Sequence, residues 1–90
     1  MSKKYQVRLE KSAQKNLKKM DSQDAMIIMA WIKKNLVNCK DPYAYGKPLK
    51  GNLKEKWRYR IGDYRLICNI NDKKVVILIL EAGHRKEIYK

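Results

Sequence analysis

The sequence predicts a single α+β domain over residues 1–90, in which an N-terminal strand and a helical hairpin pack on one face of a small antiparallel sheet. Three observations lead to this prediction. The chain has 90 residues, the size of one domain, and 44% of them are hydrophobic. Apolar residues recur at helical spacing up to Leu36, whereas from Lys56 onward they alternate with polar residues as in strands. The predicted order of elements is one strand, two helices and three strands.

The first half of the chain contains the predicted first strand and both helices. Residues 5–9 alternate between apolar and polar side chains, which predicts a short strand. Ser12 is the expected N-cap of a first helix that runs to about Lys19. Ser22 is the expected cap of a second helix, and Asp24 suits the positive end of its dipole. The apolar stripe of this second helix consists of Ala25, Ile28, Met29, Ile32 and Leu36.

A loop separates the helices from the remaining strands. Residues 38–51 contain two prolines and two glycines, which predicts an irregular segment of about 14 residues. Three strands follow in a meander with turns at residues 62–63 and 71–73, and they span Lys56–Ile61, Tyr64–Ile70 and Lys74–Leu80. Six consecutive apolar residues in the third strand predict that it is central and covered on both faces.

The first two strands of the meander form a hairpin with an unusual charge pattern. With Gly62-Asp63 as a two-residue turn, Arg60 lies opposite Arg65. Because side chains alternate between faces, the expected core face carries Trp57, Tyr59, Ile61, Tyr64, Leu66 and Cys68. The other face carries Lys56, Arg58, Arg60 and Arg65. Two directly opposed arginines repel each other, so the pattern indicates an anion bound over this face. The alternative is that these side chains simply keep an exposed sheet face soluble.

The charge and composition narrow the classes of function. Lys and Arg total 22 against 9 Asp and Glu, a formal charge of +13, which indicates a nucleic acid, an anionic membrane or an acidic protein as partner. Apolar runs such as Val75–Leu80 are far shorter than the roughly 20 residues of a membrane helix. No apolar segment of a secretory signal follows the basic N-terminus, so we expect a cytoplasmic protein whose Cys39 and Cys68 are reduced thiols.

The C-terminal half carries side chains that suit the cleavage of RNA. Several Lys and Arg together bind phosphates strongly and with a steep salt dependence. Attack of a ribose 2′-OH on the adjacent phosphodiester needs a base, an acid and cations that stabilise the phosphorane. Tyr89 can act as a base where neighbouring cations favour its phenolate, and His84 suits either proton role, although both are also ordinary packing residues. One histidine and scattered acids offer no metal-ligand spacing, so we expect chemistry without a metal or cofactor.

Three segments of the C-terminal half combine into a family pattern. They are Pro48–Leu53, Trp57–Leu66 and Glu81–Tyr89, and they include a Tyr-Arg-Leu on the return strand and a Gly-His-Arg-x-x-x-Tyr motif. This combination resembles the RelE branch of the RelE/ParE superfamily of type II toxins. The resemblance implies a RelE-like fold and a toxin that cleaves mRNA in the ribosomal A site, stopping translation without a metal or cofactor.

The resemblance also implies roles for individual side chains. Tyr89 matches the general base, Arg85 the phosphate stabiliser and candidate general acid, and Arg65 the group that stabilises the phosphorane. The choice of His84 or Arg85 as the acid stays open. The residues expected to bind RNA and position the substrate are Lys50, Lys54, Lys56, Arg58 and Arg60. Some relatives carry two lysines where this chain has Arg58 and Arg60, and a guanidinium cannot accept a proton at neutral pH.

The resemblance implies partners as well, and two other functions remain open. The implied partners are the ribosome with its mRNA, an acidic antitoxin that wraps the toxin, and operator DNA reached through that antitoxin. A ParE-type inhibitor of DNA gyrase shares the fold but is expected to lack the pairing of Arg85 with Tyr89. A non-catalytic basic module would bind RNA with strong salt dependence and leave it uncut.

Overall fold

The computed structural model of the chain describes residues 3–49 and 56–84, and it confirms the predicted α+β class. Its helices are α1 (Lys11–Lys19) and α2 (Ser22–Asn35), followed by a short 3-10 helix at Pro42–Ala44. Its strands are β1 (Gln6–Leu9), β2 (Lys47–Pro48), β3 (Lys56–Ile61), β4 (Tyr64–Asn71) and β5 (Val76–His84). The three strands of the meander thus form as predicted, with bounds that differ most at β5.

The five strands form one mixed sheet in the order β1-β5-β4-β3-β2. The meander strands and β2 pair antiparallel, whereas β1 runs parallel to β5, with Gln6 opposite Val76 and Leu9 opposite Ile79. A parallel pair needs a long crossover connection. Here the chain between β1 and β5 includes the helical hairpin, and β1 is the edge strand away from β2. The prediction that the first strand packs on the face of an antiparallel sheet is therefore wrong, because β1 is part of the sheet and makes it mixed.

A single apolar core lies between the helices and one face of the sheet. Ala13 on α1 and Ile28, Ile32 and Leu36 on or after α2 are buried, as the predicted stripe requires. The remaining buried members of this cluster are Tyr5, which directly precedes β1, and residues of the sheet, which are Tyr59, Ile61, Leu66, Cys68, Ile77, Ile79 and Ala82. The predicted core face of the hairpin is therefore confirmed, with Trp57 and Tyr64 half-buried at its margin.

Both helices begin at other caps than those predicted. Glu10, not Ser12, occupies the N-cap of α1 and makes no side-chain cap. The Ser12 hydroxyl instead donates a 2.7 Å hydrogen bond to the Leu80 carbonyl, which ties α1 to β5. The N-cap of α2 is Asp21, whose carboxylate accepts a 3.0 Å hydrogen bond from the Gln23 N–H. An aspartate caps as well as a serine, so the helix begins one position earlier than predicted.

The last strand differs most from the prediction. Val75 has a φ of +56°, so the chain is still turning there, and β5 begins at Val76, two residues later than predicted. The strand then continues to His84, past the predicted end at Leu80, with a bulge at Leu80. It is central, but the expectation that it is covered on both faces is wrong for the described residues. On the face opposite the helices, Val76 and Leu78 line an open cleft of about 510 Å³ beside Arg8.

Aromatic side chains fasten the segment after α2, which was predicted to be irregular, onto the edge of the sheet. The buried Tyr59 hydroxyl donates a 2.6 Å hydrogen bond to the Pro42 carbonyl, and the Trp57 indole N–H donates a 2.7 Å bond to the Tyr45 carbonyl. The Tyr43 ring packs edge-on against Trp57, with centroids 5.0 Å apart. These contacts bring Lys47 and Pro48 beside β3, where they form the short strand β2.

Gly46 makes this close approach possible. Its φ is +78°, and a Cβ added there would lie 2.1 Å from the Arg58 carbonyl oxygen and 2.7 Å from the Trp57 indole nitrogen. Backbone and side chain of β3 thus fill the space that any other residue would need. Gly62, in the hairpin turn, also has a positive φ, of +60°, but an added Cβ would meet nothing within 4 Å.

We therefore expect Gly46→Ala to lower the free energy of unfolding by more than about 2 kcal/mol, because steric overlap adds to the cost of a left-handed backbone. The matched variant Gly62→Ala carries the backbone cost alone, about 1 kcal/mol. Urea unfolding of both variants measures the difference. Equal losses at the two glycines would contradict the tight packing of the Gly46 backbone on β3.

One carboxylate joins the N-terminal segment, the 3-10 helix and the turn before β5. Asp72 accepts a 2.7 Å hydrogen bond from the Tyr5 hydroxyl and 3.0 Å bonds from the Tyr43 hydroxyl. The bond to Asp72 is the main reason that the pKa of Tyr5 rises to about 12. Burial is the first cause for Tyr43, with the Asp72 bond second, and its pKa also rises to about 12.

Replacing the carboxylate should lower both tyrosine pKa values by different amounts. In Asp72→Ala we expect the pKa of Tyr5 to fall further toward its ordinary value than that of Tyr43, because the Asp72 bond is the larger cause at Tyr5. NMR titration of the tyrosine ring carbons measures both. Equal shifts would contradict this assignment of causes.

The same contacts make stability depend on pH at the alkaline end. A pKa raised in the folded state favours the neutral phenol, so this contribution is complete below about pH 10 and is lost as the pH rises toward about 12. Asp72→Ala should lose less stability than the parent protein across this window. Urea unfolding of both proteins across this pH range measures the decline. A parallel decline would rule out the contribution of Asp72.

Candidate nucleic-acid interface

The predicted register of the hairpin is confirmed, and it fixes the geometry of the basic face. Arg60 pairs with Arg65, Arg58 with Ile67 and Lys56 with Asn69. The neighbouring side chains Tyr59 and Leu66 point into the core. By alternation, the basic side chains lie on the sheet face opposite the helices.

Three of the predicted arginines line one cleft, of about 370 Å³. It is bounded by Arg58, Arg60 and Arg65 on the hairpin, by Lys47 on β2, and by Trp31, Tyr45 and Gly46. The cleft lies at the outer edge of β3, where the two residues of β2 pair with Trp57 and Arg58. It therefore extends from the open face of the sheet, around this edge, to the Trp31 side chain of α2.

The electrostatics of the cleft are those of an anion site. Arg60 faces Arg65 across one strand pair, and Lys47 faces Arg58 across the next. Among the described residues that line the cleft, none is acidic. The exposed Arg60 makes a long 3.4 Å bond from Nε to the Gly62 carbonyl, whereas Arg58 and Arg65 are half-buried. Guanidinium groups held this way can grip phosphate oxygens in pairs.

His84 lies in a different cleft, on the helix side of the sheet. It pairs with Tyr64 across β4 and β5, and the two rings meet edge-on with centroids 5.8 Å apart. The Tyr64 hydroxyl donates a 2.7 Å hydrogen bond to Asp24 on α2. Since Arg65 pairs with Gly83 and faces the other way, the sheet separates the His84 imidazole from the arginine cleft.

The remaining predicted site residues divide into two groups. Lys56 is half-buried on β3 and lies on the same face as the arginines, although it does not line the cleft. Lys50, Lys54, Arg85 and Tyr89 lie outside the described residues.

Four residues that line the cleft were not among the predicted site residues. Tyr45, Gly46 and Lys47 come from the segment predicted as a loop, where Lys47 counted only toward the basic charge, and Trp31 comes from the side of α2 that faces the sheet edge. The period-two pattern that identified the arginines does not extend to a two-residue edge strand. One local signal was available in the sequence. Gly46, between Tyr45 and Lys47, is a residue type that allows the backbone to approach another strand closely.

The cysteines show no sign of a reactive thiol. Both are free, and burial is the first cause that raises the pKa of each, most strongly at the fully buried Cys68. In residues 3–49 and 56–84, no three of His, Cys, Asp and Glu come together as metal ligands. Over the same residues, neither helix is long and apolar enough to cross a membrane.

The fold and the cleft define a class: a small basic α+β domain with a two-helix layer, a mixed five-stranded sheet and an arginine-lined cleft at its outer edge. Comparison with known proteins gives the family. The model of the ParE toxin family of type II toxin-antitoxin systems matches residues 7–89, and the chain belongs to this family. The resemblance to the RelE/ParE superfamily is thereby confirmed.

Individual relatives agree with this assignment. The toxin RelG of Mycobacterium tuberculosis is 30% identical over 86 residues, which cover 96% of this chain and 97% of RelG. In the crystal structure of the RelBE2 toxin-antitoxin complex from the same organism, the matching chain is 29% identical with a TM-score of 0.82, over 91% of this chain and 99% of that one. The isolated RelE toxin of Escherichia coli shares the fold, with a TM-score of 0.71 at 22% identity over 94% of this chain and 90% of that one.

The opposed arginines should cost stability in the free protein. We expect Arg60→Gln to raise the free energy of unfolding by about 0.5 kcal/mol at low ionic strength, because it removes a like-charge pair. The gain should disappear at about 1 M salt, where the Debye length is about 3 Å. Urea unfolding at both salt concentrations measures it, and a loss of stability at low salt would show that the pair is not repulsive.

Proposed function

We propose that this toxin is a ribosome-dependent endoribonuclease that cleaves mRNA in the A site and so inhibits translation. The single observation that carries the proposal is the convergence of Arg58, Arg60 and Arg65, from two strands, on one cleft without a carboxylate among its described lining residues. Such a cleft suits a phosphodiester whose negative charge increases in the transition state. The similarity to the toxin RelG supports the toxin part of the proposal.

The proposed reaction is an in-line attack of a ribose 2′-OH on the adjacent phosphorus. The 2′-oxygen bonds to phosphorus as it loses its proton to the Tyr89 phenolate, and the bond to the 5′-oxygen breaks as that oxygen gains a proton from Arg85. The products are a 2′,3′-cyclic phosphate and a 5′-hydroxyl. Arg65 stabilises the phosphorane, and Arg58 and Arg60 hold the scissile phosphate in line. No metal or cofactor is required by this scheme.

The proton donor in this scheme is Arg85. His84 was the other candidate from the sequence, but its imidazole lies beside Tyr64 on the helix side, whereas Arg65 lies on the opposite face. A guanidinium stays charged at neutral pH and is therefore a weak acid. It can still protonate a leaving alkoxide, which is a far stronger base.

Dependence on the ribosome is supported by the weakness of the proposed proton-transfer groups. The described lining residues of the cleft supply cations, and the proposed base and acid, a tyrosine and an arginine, are both weak at neutral pH. A site of this kind binds phosphates well and orients the 2′-OH poorly by itself. An A-site codon held by the ribosome supplies that orientation, which is worth a large part of a reaction barrier.

The same charge supports an antitoxin as the regulatory partner. The Mycobacterium tuberculosis neighbour was solved as a toxin-antitoxin complex. A chain with a net charge of +13 should bind an acidic antitoxin quickly and with a salt-dependent association rate. We propose that this antitoxin also connects the toxin to operator DNA, and that both act in the cytoplasm.

Inhibition of DNA gyrase is the second candidate, because the matching family model is that of ParE toxins. It predicts growth arrest with intact mRNA. A basic module without catalysis would instead bind RNA and leave it uncut.

A purified translation reaction on a defined mRNA tests the proposal. We expect cuts within the A-site codon that require ribosomes, mapped by primer extension. Arg65→Ala should lower kcat/KM by about 10²–10³-fold, as for loss of one group that stabilises a developing negative charge. Arg85→Ala and Tyr89→Phe should also lower it, because each removes a proton-transfer group.

The control is Lys33→Ala, which removes a positive charge from the last turn of α2, away from the cleft. It should cut at the parent rate. Intact mRNA with the parent toxin, combined with growth arrest in cells, would reject the proposal and favour gyrase. Equal cutting by Arg65→Ala would remove the arginine cleft from the mechanism.

A further inference from the structure

One exposed tyrosine lines the arginine cleft without a role in the phosphate chemistry or in the core. Tyr45 lines the cleft with 47% of its surface exposed, directly before Gly46 and Lys47. The other described tyrosines use their hydroxyls as structural donors: Tyr5 and Tyr43 to Asp72, Tyr59 to Pro42 and Tyr64 to Asp24. Among the described residues, none accepts a hydrogen bond from the Tyr45 hydroxyl.

The Tyr45 backbone is held in place while one face of its ring stays available. Its carbonyl accepts the Trp57 indole N–H at 2.7 Å, and the next residue, Gly46, lies against the β3 backbone. The Trp31 ring contacts the Tyr45 ring at 6.0 Å with an interplanar angle of 74°. In such a T-shaped pair, whichever ring presents its edge, at least one face of the Tyr45 ring is not covered by Trp31.

We propose that Tyr45 is a positioning residue on which one nucleobase of the bound single-stranded RNA stacks, next to the phosphate held by the arginines. This inference rests on the proposed function, since it concerns the same cleft. Single-stranded nucleic acids are bound by combining cations that track the backbone with aromatic rings that stack bases. The cleft of about 370 Å³ unites both kinds of group around the edge of β3. An RNA strand bound on the open face of the sheet would thus place one of its bases at the edge of β3, beside Tyr45.

Stacking on Tyr45 would hold the codon in the geometry that the arginines need, so it should act on substrate binding. We expect Tyr45→Ala to raise KM for mRNA on the ribosome about tenfold with kcat little changed, within the usual range for one stacked base. Tyr45→Phe should behave like the parent, because the ring and not the hydroxyl carries the effect. The control is Ile27→Ala, which removes an exposed apolar side chain from α2 outside the cleft and should leave KM unchanged.

Substrates that lack a single base identify the stacked position. Each nucleotide of the A-site codon is replaced in turn by an abasic one. With the parent toxin, one replacement should raise KM about as much as Tyr45→Ala does. Combining that replacement with Tyr45→Ala should add nothing further, because both remove the same contact.

The outcomes separate this inference from the proposed function. A parent toxin that cuts no mRNA overturns the proposed function and this inference with it. Parent cutting combined with an unchanged KM in Tyr45→Ala overturns the stacking role alone. An equal rise of KM in Ile27→Ala would also overturn it, because the effect would then come from any loss of exposed apolar surface. Additive effects of the abasic codon and Tyr45→Ala would overturn it as well.

Discussion

The hydrogen bond from the buried Tyr59 hydroxyl to the Pro42 carbonyl is the contact on which the candidate site depends. It satisfies a phenol that has lost all contact with solvent, and burial raises the pKa of this phenol so that it stays a donor. It also holds the segment after α2 against β3. With that segment in place, Gly46 packs on the Arg58 carbonyl, and Lys47 and Tyr45 reach the edge of the hairpin. Packing in the core therefore determines which side chains meet the arginines.

The same edge carries an electrostatic cost that the core must offset. Arg60 faces Arg65, and Lys47 faces Arg58, so two neighbouring strand pairs each align like charges. Such pairs are destabilising by a few tenths to about 1 kcal/mol each. Beneath them, Tyr59 and Leu66 are fully buried and anchor the two strands in one register. When the cleft is empty, its positive charges repel one another. A bound phosphate lowers the free energy of the cleft in two ways, because it offsets this repulsion and attracts each cation.

The sequence predicted the hairpin accurately because two independent signals agree there. The Gly62-Asp63 turn fixes the register, and the alternation of apolar and charged residues fixes the faces. Neither signal reaches the segment before it. The strand β2 has two residues, too few for any period, and it forms because Pro42 and Tyr45 are held by side chains of β3. That contact is tertiary, so Lys47 and Tyr45 could not be assigned to the cleft from the sequence.

His84 shows how one extra residue changes a chemical assignment. Ile77 and Ile79 face the helices, so strict alternation would continue with Glu81 and Gly83 on that face and would put His84 beside the arginines. The bulge at Leu80 shifts the alternation by one residue, and Ala82 becomes buried instead. His84 therefore turns to Tyr64, on the helix side. Neither the composition nor the spacing of the strand marks this bulge, yet it decides which side chains can share a substrate. The His84 ring therefore meets the Tyr64 ring on the face of the sheet away from the arginine cleft.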